Sequence, residues 1–208
     1  SKEDSDIFNR FHLKGIKFIQ TWKGCVYHMT CRGSRRNTID KAKNIYEDSP
    51  EWLAQNRRSS RNFVRKWGHF VKHDNLMKPI VPPKYHISIK LENANEKLLE
   101  VLEPWCTSIY TDIDFQSYCE REQPNTKYIL LNKMNGIEDE IDSDVIIYVD
   151  GKKFDKNDMY YIQEISSILQ DSGEVGEFEL GNLRIKIIDL RDWKNELIYI
   201  SCSGECCC

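Results

Sequence analysis

Two adjacent carboxylates and one histidine are the residues of this sequence whose types and spacing best fit a catalytic or metal-binding site. Glu3 and Asp4 stand side by side near the start of the chain, and His28 ends a short run of apolar residues. A positioned carboxylate that accepts a proton from a reacting group typically contributes about 10²–10⁴-fold to a rate. A neutral imidazole can ligate a divalent cation together with carboxylates. The set therefore favours base-assisted chemistry next to a bound cation.

The elements that must position these groups can be predicted from the surrounding residues. Apolar side chains recur at helical spacing over residues 5–13, and Gly15 follows as a stop signal. Short strands are predicted at residues 16–19 and 25–28, on either side of a turn. This order places the carboxylate pair at a helix N-terminus, where the helix dipole favours ionised groups. It also places His28 at the end of a strand.

The residues named so far carry a family resemblance. The run EDSDIFNR from Glu3 to Arg10, then Gly15 and the Val-Tyr-His sequence ending at His28, resembles the C-terminal half of GT-A-fold inverting glycosyltransferases. These include family-2 enzymes and galactosyltransferases with a Glu-Asp-x-Asp-Ile-Phe-Asn-Arg run. The resemblance implies that Asp4 is the general base, that Glu3 binds the acceptor sugar, and that His28 is a ligand to Mn or Mg. It also implies a nucleotide-sugar donor and a sugar or glycan acceptor.

The chemistry of sugar transfer agrees with these residue types. A nucleoside diphosphate leaves more readily when a divalent cation neutralises its developing charge. The loop after His28 adds two guanidinium groups, Arg32 and Arg35, as candidates for binding the diphosphate.

Structural explanations of the same residues remain open. A Glu-Asp pair before a helix is a common capping arrangement, and a lone histidine on an apolar strand is usually a core residue. Cys25, His28 and Cys31 have the residue types of a zinc site, but alternation along a strand would point Cys25 and His28 to opposite faces.

The chain order departs from the family pattern. In the enzymes that this chain resembles, the nucleotide-binding half and its metal-binding Asp-x-Asp precede the Glu-Asp pair. Here the Asp-x-Asp sequence formed by Asp112 and Asp114 lies downstream, where a chance acidic strand end is the simpler interpretation. We therefore expect a C-terminal fragment that does not catalyse transfer unaided.

Charge divides the chain of 208 residues into two parts. Residues 1–84 contain 18 Lys and Arg against 8 Asp and Glu, whereas residues 85–208 contain 12 against 25. A break of this size beside several prolines predicts two units with different partners. The basic part would attract anions, and the acidic part argues against nucleic acid as a partner of the whole chain.

The following division is predicted. Residues 1–48 form the C-terminal edge of a GT-A catalytic domain, residues 49–83 a basic linking helix with a proline linker, residues 84–200 a layered α/β accessory domain, and residues 201–208 a Cys-rich tail. Ser49 fits the N-cap of the helix and Pro50 its first position. A structural helix with a solvated basic face is favoured over a helix that binds acidic membrane or nucleic acid.

The α/β class follows from strands alternating with helices. Strands are predicted at 86–91, 107–111, 128–131 and 144–149, helices at 96–101, 115–122 and 158–170, and a hairpin at 178–188 that turns over Gly181-Asn182. The pattern predicts a mostly parallel sheet with an antiparallel edge. Three roles stay open for this unit: an accessory module that positions a partner or acceptor, a second catalytic unit that uses Asp112, Asp114 or Asp150, and a structural or oligomerising domain.

Two further predictions concern the cellular location of the protein and an alternative function. The sequence has no apolar run of the ~18–20 residues that span a bilayer and no signal peptide, so we expect a cytoplasmic protein with reduced cysteines. The oligomeric state stays open. The alternative to a glycosyltransferase is a non-catalytic binding or structural protein that retains a glycosyltransferase-like segment.

Overall fold

The structure is a computed structural model that describes residues 2–19, 21, 23–24, 36–40 and 45–198. The described helices are α1 (Glu3–Leu13), α2 (Pro50–Trp67), α3 (Glu96–Leu102), α4 (Gln116–Glu122) and α5 (Lys156–Ser172). The described strands are β1 (Arg36–Asp40), β2 (Ile45–Asp48), β3 (Ile87–Glu92), β4 (Ser108–Thr111), β5 (Met134–Gly136), β6 (Val145–Asp150), β7 (Gly176–Leu180) and β8 (Leu183–Ile187). The chain is thus mixed α/β, as predicted.

One six-stranded sheet organises the second half of the chain. Its strand order is β5-β4-β3-β6-β8-β7. The first four strands are parallel, whereas β8 and β7 run antiparallel and form the predicted hairpin. The prediction of a mostly parallel sheet with an antiparallel edge is confirmed. β1 and β2 form a separate antiparallel pair.

Alternation along the strands shows that this unit has two layers. Alternate residues of the central strands, such as Ile89 on β3 and Ile147 on β6, join one core cluster with Leu99 of α3 and Ile165 of α5. Since successive strand residues point to opposite faces, these helices cover a single face of the sheet. The other face carries polar groups, including the guanidinium of Arg184, which lies 4.0 Å from the ring centroid of Tyr148.

Two predicted strands are wrong. Residues 16–19 form no strand, because Phe18 folds back on α1 and its ring centroid lies 5.2 Å from that of Phe8. Residues 128–131 lead instead into a 3₁₀ turn at Leu130–Asn132. The amide side chain of Gln123 donates to the Tyr128 carbonyl and accepts from the Leu130 N–H, at 2.7 and 2.8 Å. Gln123 thereby occupies the Tyr128 carbonyl and the Leu130 N–H, which in a strand would bond to a neighbouring strand. The predicted strand at 25–28 lies outside the described residues.

Helix α2 begins where the sequence predicts. The Ser49 hydroxyl accepts a hydrogen bond from the Trp52 N–H at 3.2 Å, and Pro50 occupies the first turn. The helix ends at Gly68, whose φ of 76° is the left-handed conformation that favours glycine. Val64 and Trp67 are buried, and Val64 belongs to the core of the α/β unit.

The prediction of a solvated basic face on α2 is wrong for its second half. Arg65 is only 4% exposed, and its guanidinium contacts Glu103 at 2.6 Å and Glu122 at 3.0 Å. Lys133 adds an ammonium 2.5 Å from Glu103, and the Tyr118 hydroxyl donates to Glu103 at 2.8 Å. Burial alone would raise the pKa of Glu103, but Lys133 and Arg65 lower it to about 2. The helix is therefore bound to the α/β unit through a buried ionic network.

Three further predictions concern the cysteines, membrane-spanning helices and the C-terminal tail. Cys106 and Cys119 are buried and free, and the other six cysteines lie outside the described residues. No helix in the described ranges combines the length and apolar character that crossing a membrane requires. The Cys-rich tail at residues 201–208 lies outside the described residues.

Glu103→Gln tests whether the ionic network holds α2 in place. Removing the charge leaves Lys133 without its carboxylate partner and leaves Arg65 with Glu122 alone, so we expect a loss of roughly 3–5 kcal/mol in the free energy of unfolding. Urea denaturation measures the change. The control is Arg121→Ala, which removes an exposed ion pair with Glu96 and is expected to cost at most about 1 kcal/mol. Equal costs in the two variants would contradict a dominant role of the buried network.

His69 makes stability depend on pH. It is 1% exposed, its Nε2 has no partner among the described residues, and burial lowers its pKa to about 4. The folded-state pKa lies below the unfolded value, so this stability is present above about pH 6.5 and is lost as pH falls toward 4. Between these pH values we expect the free energy of unfolding of His69→Phe to fall by roughly 1–3 kcal/mol less than that of the unsubstituted protein. Unfolding curves at several pH values, compared with the exposed control His73→Gln, measure it. Parallel pH profiles for both variants would refute the assignment.

Candidate functional site

A cleft of about 700 Å³ opens where α1, α2 and the segment before β5 meet. Its walls come from three parts of the chain that lie far apart in sequence. The lining residues are Lys2, Glu3 and Asp6 at the start of α1; Ser59, Asn62, Phe63 and Lys66 on α2; and Pro124, Asn125, Thr126, Lys127 and Tyr128. The volume falls within the range of roughly 300–1,000 Å³ that is usual for small-molecule sites.

Asp6 fixes α1 on α2. Its Oδ1 atom accepts hydrogen bonds from Lys66 Nζ at 2.5 Å and from the indole Nε1 of the fully buried Trp67 at 2.9 Å. Its Oδ2 atom lies 3.1 Å from Nε of Arg10, one helical turn further along α1. Because hydrogen bonds to charged groups are stronger than neutral ones, this carboxylate sets the position of the first turn.

Lys66 is the partly buried cation of the cleft, with a side chain 13% exposed. Burial lowers its pKa, the Asp6 carboxylate opposes that effect, and Arg10 and Lys127 lower the pKa further by repulsion. The ammonium also lies 5.1 Å from the ring centroid of Trp67. Two cations, Lys66 and Arg10, thus share the single carboxylate of Asp6.

The far wall is tied to α2 and to its own backbone. The side chain of Asn62 donates to the Asn125 carbonyl at 2.5 Å, and the Thr126 hydroxyl accepts from the Tyr128 N–H at 3.2 Å. Gln123 holds the Tyr128 carbonyl from the other side. Burial raises the pKa of Tyr128 to about 12, so its phenol stays neutral near pH 7. The wall is therefore held in one conformation by hydrogen bonds from both sides.

The structure describes two of the five predicted site residues. Glu3 lines the cleft in the first turn of α1. Asp4 is exposed in the same turn and is not among the lining residues. His28, Arg32 and Arg35 lie outside the described residues, as do Cys25 and Cys31 of the zinc alternative. The helix N-terminus predicted for the carboxylate pair is confirmed, with α1 beginning at Glu3 itself.

No group of three or more His, Cys, Asp and Glu is placed to hold a metal ion within the part of the chain that the structure describes. Asp112 and Asp114 have roles in loops, since Asp112 accepts from the Asn93 N–H at 3.1 Å and Asp114 from the Gln116 N–H at 2.9 Å. Asp150 accepts from the Asn93 side chain at 3.1 Å. These bonds account for the acidic strand ends as local structure.

A smaller crevice of about 430 Å³ lies between α3 and α5. It is close to the carboxyl ends of β3 and β6, where the strand order reverses and α/β proteins often bind ligands. Its lining includes the apolar side chains Leu98, Val101, Phe154 and Met159. The crevice has few convergent polar groups, so the cleft at α1 is the stronger candidate.

Sequence reasoning missed most of the cleft. Asp6 lies three residues after Glu3, which places both on one face of a helix, and that spacing is a readable signal. Lys66 and Trp67 contact Asp6, but no local pattern in α2 indicates a partner on α1. Nothing in the local sequence marks residues 124–128, because only the folded chain brings them to α1.

Asp6→Ala tests whether this carboxylate positions the first turn of α1. The change leaves the buried indole N–H of Trp67 unpaired, so we expect a loss of roughly 1–3 kcal/mol and faster amide exchange in α1. Hydrogen exchange followed by mass spectrometry reports the protection of this helix. Asp4→Ala is the matched control, since it changes an exposed carboxylate of the same turn. Equal protection of α1 in the two variants would rule out the anchoring role.

Comparison with known proteins adds no relative to these observations. No family model matches the chain, and no match was found among curated proteins or among solved structures.

Proposed function

We propose that this chain carries the acceptor-binding and general-base part of an inverting glycosyltransferase. Residues 1–48 would form the C-terminal edge of its GT-A catalytic domain, and the α/β unit that follows would be an accessory domain. The observation that carries the proposal is the position of Glu3. The residue to which the resemblance assigns the acceptor sugar lines this cleft of about 700 Å³, at the N-terminus of α1.

The lining of the cleft has the character of a sugar site. Asn62 and Ser59 offer hydrogen-bonding groups to hydroxyls, and the neutral phenol of Tyr128 can both donate and accept. Tyr128 adds aromatic surface against which the apolar side of a sugar ring can pack. A carboxylate such as Glu3 accepts two hydrogen bonds from neighbouring hydroxyls.

The proposed step uses Asp4 as the base. Its carboxylate takes the proton of the acceptor hydroxyl while the oxygen attacks the anomeric carbon of the donor sugar. The bond from that carbon to the nucleoside diphosphate breaks, and the configuration inverts. Asp4 is exposed at the same helix N-terminus as Glu3, so it can reach an acceptor held at the mouth of the cleft.

A bound Mn or Mg ion would neutralise the charge of the departing diphosphate. His28 is the proposed ligand, with Arg32 and Arg35 proposed for the diphosphate. These three residues lie outside the described part of the chain.

Paired substitutions in α1 test the roles of its carboxylates. In the longest form of the protein that can be expressed, Asp4→Asn should reduce transfer about 10²–10⁴-fold, because the base is lost. Glu3→Gln should chiefly raise the KM for the acceptor. Neither change should alter donor binding, since both act on the acceptor side. Release of nucleoside diphosphate from a panel of sugar nucleotides, together with mass spectrometry of the product, measures transfer.

Glu174→Gln serves as control because Glu174 is an exposed carboxylate after α5, and it should leave both parameters unchanged. Full activity of Asp4→Asn would remove the base assignment. Absence of transfer from every sugar nucleotide, combined with retained glycan binding, would favour the non-catalytic binding protein.

A further inference from the structure

We propose that the cleft selects an acceptor saccharide that carries an anionic group, and that Lys127 of the α/β unit binds that group together with Lys66. This inference rests on the proposed function, because it names the acceptor class of the same cleft. It also gives the α/β unit a direct part in recognition, through a side chain rather than through support of the fold alone.

The charges of the lining are unbalanced in favour of an anion. Lys2, Lys66 and Lys127 line the cleft together with Glu3 and Asp6. The carboxylate of Asp6 is already shared between Lys66 and Arg10, so this group of three carries a net charge of one positive unit. Lys127 is exposed and makes no ion pair within the described part of the chain, and it adds a second uncompensated charge.

The two lysines act on each other. Lys127 is close enough to Lys66 for its charge to disfavour the protonated form of Lys66. Two like charges that converge on one cleft, one of them partly buried, cost electrostatic free energy in the unliganded protein. An anion placed between them removes that repulsion and gains two charge-assisted hydrogen bonds. A neutral sugar can do neither.

The segment that carries Lys127 is held ready for binding. Asn62 fixes the Asn125 carbonyl, and Gln123 fixes the backbone on either side of Ile129. The preceding helix α4 ends at Glu122, which is ion-paired with Arg61 at 2.8 Å. Because these contacts already order the segment, little conformational entropy is lost when a ligand binds.

The occupant follows from the two kinds of charged group that line the cleft. Glu3 can accept hydrogen bonds from hydroxyls, whereas Lys66 and Lys127 can bind a carboxylate, phosphate or sulfate. A sugar unit that carries one of these substituents satisfies both kinds of group at once. Inorganic phosphate satisfies only the lysines, and a neutral glycan satisfies only Glu3.

The experiment compares matched ligands on the 208-residue chain. Calorimetry and NMR titration would measure binding of a neutral disaccharide, of its analogue with a uronic acid, of its phosphorylated and sulfated analogues, and of inorganic phosphate. We expect at least one anionic saccharide to bind about tenfold more tightly than the neutral one. That preference should shrink as salt rises, because the lysines are partly exposed.

Lys127→Ala should abolish most of the preference and leave the affinity for the neutral disaccharide unchanged. Lys127→Glu should reverse it. The matched control is Lys152→Ala, an exposed lysine of the same unit in the turn after β6. NMR signals of residues 124–128 should move with the anionic saccharide and not with the neutral one.

The outcomes separate this inference from the proposed function. Equal binding of neutral and anionic saccharides, unaffected by Lys127→Ala, would overturn anion selection and leave an acceptor site in place. Movement of the 124–128 signals by a nucleoside diphosphate alone would also overturn it, because the lysines would then serve the donor. Failure of every saccharide to bind would overturn both proposals.

Discussion

The buried ion network around Glu103 is the interaction on which the rest of the structure depends. Taking a carboxylate out of water is unfavourable unless cations and hydrogen-bond donors replace the solvent. Glu103 is fully buried, and Arg65, Lys133 and Tyr118 provide those groups. A hydrophobic contact tolerates small rotations of a helix, whereas the directional hydrogen bonds from Arg65 to Glu103 tolerate them less. The network therefore fixes the rotation of α2 as well as its attachment.

The network sets the orientation of the residues that line the cleft in two steps. With Arg65 directed toward Glu103, the next residues along α2, Lys66 and Trp67, present their donors to Asp6. Asp6 then sets the first turn of α1, and Glu3 lies in that turn. Glu122 acts on the other wall, because it pairs with both Arg61 and Arg65 just before the segment that carries Lys127. Both walls of the cleft are thus positioned by one group of buried charges.

Local signals explain which parts could be predicted from the sequence. Ser49, Pro50 and Gly68 mark the ends of α2 through capping chemistry, and alternation of strands and helices gave the α/β class. The burial of Arg65 could not be predicted, because its partner Glu103 lies 38 residues away in sequence. The segment from Tyr128 to Leu131 has strand-forming residues, but Gln123 takes its backbone groups. In the site, the position of Glu3 followed from the helix pattern, whereas its neighbours Lys66 and Lys127 required the tertiary fold.

The charge asymmetry of the chain explains why the position of Lys127 at the cleft matters for anion binding. Residues 85–208 have 13 more acidic than basic residues, so the field of this unit repels anions at long range. That field is largely screened beyond roughly 8–10 Å in physiological salt, whereas a contact inside a cleft is screened much less. A lysine of the acidic unit can therefore attract an anion only where a local cation reinforces it, and Lys66 does so at the cleft. An anionic acceptor would be discouraged over most of this unit and bound at one place beside Glu3.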